Sequence, residues 1–322
     1  MAQAMLISTS SFRSRQEHAR LLRCVAADAF KTHTVTHDPD RADVIVFLEP
    51  ADPYLASDVT SHPLIARHRD KCFVFDSSDR VIPFLPGIYT SIRRQQYDPS
   101  RVRSGFYPSV LDHEWIAYAP DTAPRLLFSC MGDLRGIPVR EVIARIQHPR
   151  GLIKDTTDHP ENEEGYVESF YDQFHREFAA VMIDSKFTLC PRGNGTSSLR
   201  LFETMKAGRV PVIIADDWVA PDGPDWSAFS IRVAERDAAG VAAILESHEG
   251  AAAEMGRLAR ECYESWFSER AAFHRIVEWC VSIQQSRRRS ERLMQRLVWW
   301  QLLTPFHFRH KLLPGLRGAY RQ

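Results

Sequence analysis

Short, almost wholly apolar runs alternate along this chain with longer segments whose apolar residues recur every three or four positions. That alternation restricts the fold more than any other feature. Asp43–Leu48 (DVIVFL), Cys72–Phe75, Leu126–Ser129, Phe187–Cys190 and Val210–Ala215 read as strands buried on both faces, with Met5–Thr9 as a further strand. Between them, Ser14–Phe30 sets Leu21, Leu22, Val25, Ala26 and Ala29 on one helical face. Tyr166–Ile183 does the same with Phe170, Phe174, Phe178 and Val181. Leu64–His68, Val139–Ile146, Ser198–Ala207, Val241–Leu245 and Met255–Cys280 are the other expected helices. Strands joined by crossover helices build parallel sheets covered on both faces, an α/β architecture.

The pattern runs twice. A Gly-, Pro- and Ser-rich stretch from Pro83 to Ser109 reads as irregular, and the alternation restarts after Pro120 and Pro124. A length of 322 residues also suits two domains. Residues 1–120 are expected to form an N-terminal Rossmann-like domain, 121–280 a second one, and 281–322 a helical tail, with the C-terminal helix returning to the first half. Ligands of such sheets bind at the carboxyl ends of the strands.

Lys+Arg and Asp+Glu both number 41, so the chain has no net charge and is a poor candidate for coating nucleic acid. The balance is uneven: from Arg287 to Gln322 nine basic residues stand against Glu291 alone, giving +8 there and −8 elsewhere. Trp299, Trp300, Phe306 and Phe308 are interleaved with that charge. The tail reads either as a helix packed across the two halves or as an interfacial helix on an anionic membrane. The six cysteines form no CxxC and read as small buried residues in a reducing compartment. No secretory leader and no apolar run of membrane-spanning length is read, so the expected location is cytoplasmic, peripheral at the inner face of the plasma membrane.

Chemistry concentrates in Ser185–Pro221 (SKFTLCPRGNGTSSLRLFETMKAGRVPVIIADDWVAP). A strand stops at Pro191, and Gly193 and Gly195 permit close backbone approach to a ligand. Ser197 and Ser198 offer caps to the next helix, whose N-terminus presents free N–H groups to an anion. Arg192 and Arg200 flank that N-terminus, and Glu203 lies where a carboxylate reaches past phosphates to a ribose diol. An ordinary capped strand–loop–helix with solvated arginines is the alternative from spacing alone.

The residues Cys190, Pro191, Arg192, Gly193, Ser198, Arg200, Glu203, Gly208, Pro211 and Val212 resemble the exostosin family of glycosyltransferases, and Asp217–Trp218 and Pro221 fit that family's following turn. Arg125–Asp133 (RLLFSCMGD), Arg135 and Arg140 look like the family's first donor-domain strand and its arginine-anchored helix, and Ala42–Phe47 like its acceptor-half strand. The resemblance implies a GT-B fold of two Rossmann-like domains facing a cleft. It also implies a nucleotide-sugar donor, usually UDP-linked, and inversion at the anomeric carbon with no obligatory metal or cofactor. Donor binding then falls to Arg192, Gly193, Ser198, Arg200, Glu203, Gly132, Arg135 and Arg140. No membrane anchor, stem or second catalytic domain is read, which points to a small bacterial-type member.

An inverting transfer needs a base for the acceptor hydroxyl. Asp76 and Asp79 follow a strand of the acceptor half, and Asp133 ends the first donor-domain strand; these three are the candidates, with turn-capping the alternative for the first two. Asp112-His113-Glu114 offers a base or a solvated loop. Asp216–Asp217 is not a DxD pair, so no metal site is expected. The expected activity is transfer of a hexosyl or glycuronosyl group to a growing surface glycan such as lipopolysaccharide or capsule. Expected partners are the nucleotide-sugar, a glycan or lipid-linked glycan acceptor and an anionic membrane surface, with no nucleic acid. A non-catalytic nucleotide-sugar-binding or scaffold subunit, and a fucosyltransferase-like enzyme using a GDP-sugar, are the rival readings.

Overall fold

A computed structural model of the full chain describes residues 1–8, 12–48, 59, 62–79, 81–158 and 168–298. The chain divides into two units: Met1–Gly105 with Glu269–Gln322, and Phe106–Ser268.

The first unit is built on a six-stranded sheet. Its strands are β1 (Gln3–Ile7), β2 (Thr34–Val35), β3 (Val44–Leu48), β4 (Cys72–Asp76), β5 (Gly87–Tyr89) and β6 (Val102–Ser104), in the spatial order β2-β1-β3-β4-β5-β6. Every pairing is parallel. All five residues of β3 and of β4 are buried, as strands covered on both faces require. Helix α1 (Phe12–Ala27) and α2 (Pro63–His68) are among its crossovers. The helix Glu269–Ser286 packs on α1 and on β3, β5 and β6, and buries Phe273, Ile276, Val277, Cys280 and Ile283. It therefore belongs to the first unit, whereas the sequence reading placed 269–280 with the second.

The second unit carries a five-stranded parallel sheet of β7 (Leu126–Gly132), β8 (Gly151–Asp155), β9 (Ser185–Pro191), β10 (Val210–Ile214) and β11 (Ile231–Arg232), in the order β11-β10-β9-β7-β8. Leu127, Phe128, Phe187, Leu189, Val210, Val212 and Leu245 form its core. Helices α3 (Pro138–Ile143), α4 (Glu168–Ile183), α5 (Leu199–Ala207), α6 (Val241–His248) and α7 (Ala252–Trp266) surround that sheet. Both units are Rossmann-like, the α/β make-up of a GT-B chain.

Three sequence expectations differ from the structure. The division falls at Gly105–Phe106 rather than near residue 120, because 106–118 packs into the second unit. Phe106 meets the Phe202 and Phe267 rings at 6.1 and 5.5 Å, and Lys206 Nζ donates to the Val110 and His113 carbonyls. The segment 83–109 is not wholly irregular, since it supplies β5 and β6. The single helix read over Met255–Cys280 is two, α7 and α8 (Glu269–Ser286), broken at Phe267–Ser268 where the chain passes between units. No disulfide joins any of the six cysteines, and all but Cys262 are buried. Among the described residues no helix is long and apolar enough to cross a membrane. The aromatic part of the tail, 299–322, lies outside the described residues.

Candidate functional site

In the second unit β9 ends at Pro191, a loop runs through 192–198, and α5 begins at Leu199. Ser198 takes the N-cap backbone conformation (φ −136°, ψ 129°), yet its side chain makes no cap hydrogen bond. Ser197 Oγ is buried without a hydrogen-bond partner. The helix N-terminus therefore keeps N–H groups that a capping side chain would otherwise take, beside an unused hydroxyl. At the other end Gly208 closes the helix in the left-handed region (φ +70°) and donates to the Met205 and Thr204 carbonyls.

Four arginines were expected to meet an anion here, and the structure separates their roles. Arg140 bridges two loops, donating from Nε to the Arg192 carbonyl (2.9 Å) and from Nη1 to the Asp133 carbonyl (2.6 Å). It fixes the backbone beside Gly193, where an added Cβ would stand 2.9 Å from Arg140 Nη2. Arg192 is tied to Glu235 (Nε–Oε1 2.8 Å), and Glu235 is locked to Asp216 by two backbone bonds. Arg135 is held by Asp155 (3.2 Å) and Asp158. Arg200 is different. Its guanidinium lies over Gly132, where a Cβ would stand 2.7 Å from Nη2, and faces the Phe178 ring at 5.2 Å. Its Nε is buried with no hydrogen-bond partner, and among the described residues no carboxylate pairs with it. A half-buried, unneutralised guanidinium beside an open helix N-terminus is a site prepared for an anion.

Glu203, one turn along α5, is 4% exposed. Burial pushes its carboxyl from 4.5 up to about 7, against the pull of Arg200 and Lys206. Its Oε1 lies 3.9 Å from His113 Nε2, and that same nitrogen is 2.8 Å from His175 Nδ1. Burial, then the His175 and Lys206 charges, lower His113 to about 4. His113 is thus no solvated loop residue but the wall behind Glu203. The sequence held one cue to this, the His–Glu juxtaposition at 113–114, and it pointed to the wrong glutamate.

Of the candidate bases, Asp133 is exposed at the end of β7, and its Oδ1 accepts from Arg135 N–H (3.0 Å) and Thr157 Oγ1 (2.8 Å). Neighbouring Asp155 was not anticipated. It binds the Leu134 and Thr157 amides and the Thr157 hydroxyl, and these bonds, with Arg135, lower it to about 2. Asp76 and Asp79 lie in the first unit. Asp76 is 1% exposed and holds the turn after β4 by accepting from Ser78 N–H (2.8 Å), while Asp79 is exposed. Trp218 packs edge-on against Trp226 at 5.0 Å and belongs to the core of its turn. Among the described residues one metal-compatible grouping occurs, His33, His274 and Glu278 in the first unit. His33 Nδ1 accepts from Ala2 N–H (3.2 Å), which leaves the ring proton on Nε2, 2.8 Å from Glu278 Oε1.

A family model for the Exostosin GT47 domain matches residues 90–248. Exostosin-1 homolog of Caenorhabditis elegans is 36% identical over 99 residues, 30% of this chain and 26% of that protein. A probable glucuronoxylan glucuronosyltransferase of Arabidopsis thaliana is 32% identical over 145 residues, 40% of this chain and 30% of that one. The chain thus spans about a quarter of the length of the curated relatives it matches. Among solved structures, Anabaena HepE in complex with UDP aligns with a TM-score of 0.40 at 11% identity, over 88% of this chain and 100% of that one.

Proposed function

We propose, for a chain that belongs to the Exostosin GT47 family, that it is an inverting glycosyltransferase moving a sugar from a nucleotide-diphosphate donor onto a growing surface glycan. The observation that carries this reading is Arg200, a half-buried cation with a buried, unbonded Nε and no carboxylate partner among the described residues, set beside the uncapped N-terminus of α5. The diphosphate docks there, against the Arg200 guanidinium, the Ser197 hydroxyl and the first-turn N–H groups. Arg140 and Arg192 do not clamp it; they hold the loop that frames it. Glu203 receives the ribose hydroxyls.

As the acceptor oxygen bonds to the anomeric carbon, the bond to the diphosphate breaks and negative charge grows on the leaving group. Arg200 and the helix dipole stabilise that charge, the main catalytic contribution here. A carboxylate takes the acceptor proton. Asp133 follows Gly132, over which Arg200 lies, and Asp76 and Asp79 are the candidates from the first unit. Supporting the sugar chemistry, a relative carries a glucuronoxylan glucuronosyltransferase name, and the donor is proposed as a UDP-sugar. The acceptor is a glycan or lipid-linked glycan, and the enzyme works in the cytoplasm, held at the inner membrane face by its basic tail.

Calorimetry with UDP tests the donor site. Losing one charged hydrogen bond costs about 1.5–3 kcal/mol, so Arg200→Ala should weaken UDP roughly ten- to hundred-fold. Glu203→Gln should weaken UDP while leaving inorganic pyrophosphate unaffected. Unchanged UDP affinity in both variants sinks the assignment. UDP binding without sugar transfer to any glycan acceptor supports the rival, a non-catalytic nucleotide-sugar-binding subunit. Turnover is proposed to need no metal, because arginine and helix N–H groups meet the leaving charge; activity removed by EDTA and restored by Mn²⁺ would contradict this.

A further inference from the structure

A second arginine-rich concavity lies in the first unit. A cavity of about 520 Å³ opens between 98–103 and 286–294, lined by five arginines against Asp98 and Glu291, a net of +3. Both carboxylates are already engaged, and neither reaches Arg288 or Arg289. Glu291, 1% exposed, is shared by Arg101, with Nη2–Oε2 at 3.2 Å and Nε–Oε1 at 3.4 Å, and Arg287, with Nε–Oε1 at 3.7 Å. Asp98 Oδ1 closes its own turn by accepting from the Ser100 amide (2.9 Å) and hydroxyl (2.7 Å).

Arg287 donates from Nη1 to the Asp70 carbonyl (2.9 Å) and pairs with the Asp70 carboxylate (3.5 Å) and, through Nε, with Glu291 (3.7 Å), while its buried Nη2 makes no hydrogen bond. Arg288 and Arg289 are exposed on the same rim, and no carboxylate among the described residues pairs with either. Holding these cations around one hollow is repulsive unless an anion enters it. The volume is that of a small-molecule site, larger than a bare oxyanion needs. Guanidinium groups match phosphate oxygens two at a time.

We propose that this cavity binds the phosphate group of a phosphate ester, at a site separate from the donor loop and on the other unit. Two sources share that chemistry: the phosphodiester of an anionic lipid headgroup, or a soluble phosphate ester. Arg288 and Arg289 supply the outer contacts, and Arg287 the inner one. Attraction at such a rim weakens as salt rises.

The test uses the full chain carrying Arg200→Ala, so that the donor loop does not compete. Inorganic phosphate is titrated at low salt and its ³¹P line width followed, with R288E/R289E and R288K/R289K compared in the same background. The expected result is phosphate binding about ten-fold weaker in the glutamate pair and retained in the lysine pair. Equal binding in the parent and the glutamate pair overturns the proposal. Co-sedimentation with phosphatidylcholine vesicles, with and without about one-fifth phosphatidylglycerol, then separates the sources. Loss of phosphatidylglycerol-dependent binding in the glutamate pair assigns a lipid headgroup. Phosphate binding lost while vesicle binding stays the same, or is absent throughout, assigns a soluble ester.

Discussion

At Glu203 two opposing influences set the protonation state. Burial holds the proton on, and the Arg200 and Lys206 charges draw it off; burial prevails and the carboxyl titrates near 7 instead of 4.5. Between those values the native state binds more protons than the unfolded chain. Stability from this group is therefore fully present below about 4.5 and falls as pH rises through about 7. His113 has the opposite sign. Its ring stays neutral down to about 4, so its contribution is present above 6.5 and is lost as pH falls from there towards 4. Glu203→Gln removes the first slope and leaves the second. Thermal melts should show the variant gaining on the parent between pH 5 and pH 8, by on the order of 3 kcal/mol at the upper end. A constant difference across that range would mean that Glu203 is ionised throughout. The sequence placed Glu203 and Arg200 at the site by spacing along one helix. It could not separate Arg200 from Arg192, Arg135 and Arg140, because a guanidinium's partner comes from another strand end. Glu235, Asp155 and the Asp133 carbonyl lie 43, 20 and 7 residues from the arginines they bind.

Helix α5 owes its limits to residues at its two ends. Gly208 sits at φ +70°, and an added Cβ would meet the Tyr118 ring at 2.4 Å. Gly208→Ala should cost about 1–2 kcal/mol from the left-handed backbone alone. The urea midpoint should fall with an unchanged slope. Gly240→Ala serves as the control, because that backbone has φ −92° and nothing stands within 4 Å of the added carbon. A Gly208→Ala midpoint no lower than the control's would show that the cap is not needed. Ser198 and Gly208 punctuate this helix in the sequence, so its span was readable. Two other elements were not. β5 and β6 are three residues each, too short to display alternation, and they are held by pairing, β5 to β4 and β6 to β5, rather than by pattern. The break at Phe267–Ser268 leaves the apolar period intact on both sides, so it is silent in the sequence and set by which sheet each half covers.

The order in which the chain builds its two units has a consequence for the whole molecule. Phe106–Ser268 is contiguous and contains every residue proposed to hold the donor. The other unit is discontinuous, because the sheet of 1–105 is completed by a helix that arrives only after residue 268. That helix packs on α1 and buries Phe273, Ile276, Val277, Cys280 and Ile283. Its first turn meets α1 again, through the Arg23–Glu269 pair (2.9 Å) and the Ala29 N–H to Arg270 carbonyl bond (3.0 Å). Without it the apolar face of α1 has no cover and the backbone of residue 29 loses its acceptor. Residues 106–268 expressed alone should therefore melt cooperatively and bind UDP within about three-fold of the full chain, because no proposed donor contact is removed. Residues 1–105 alone should not melt cooperatively, and should regain a cooperative transition when 269–298 is fused after residue 105. Calorimetric scans of the three fragments, with UDP titrated into the first, decide the matter. A 1–105 fragment that folds unaided would make the returning helix a surface addition, and a 106–268 fragment that folds but does not bind UDP would put the donor site elsewhere.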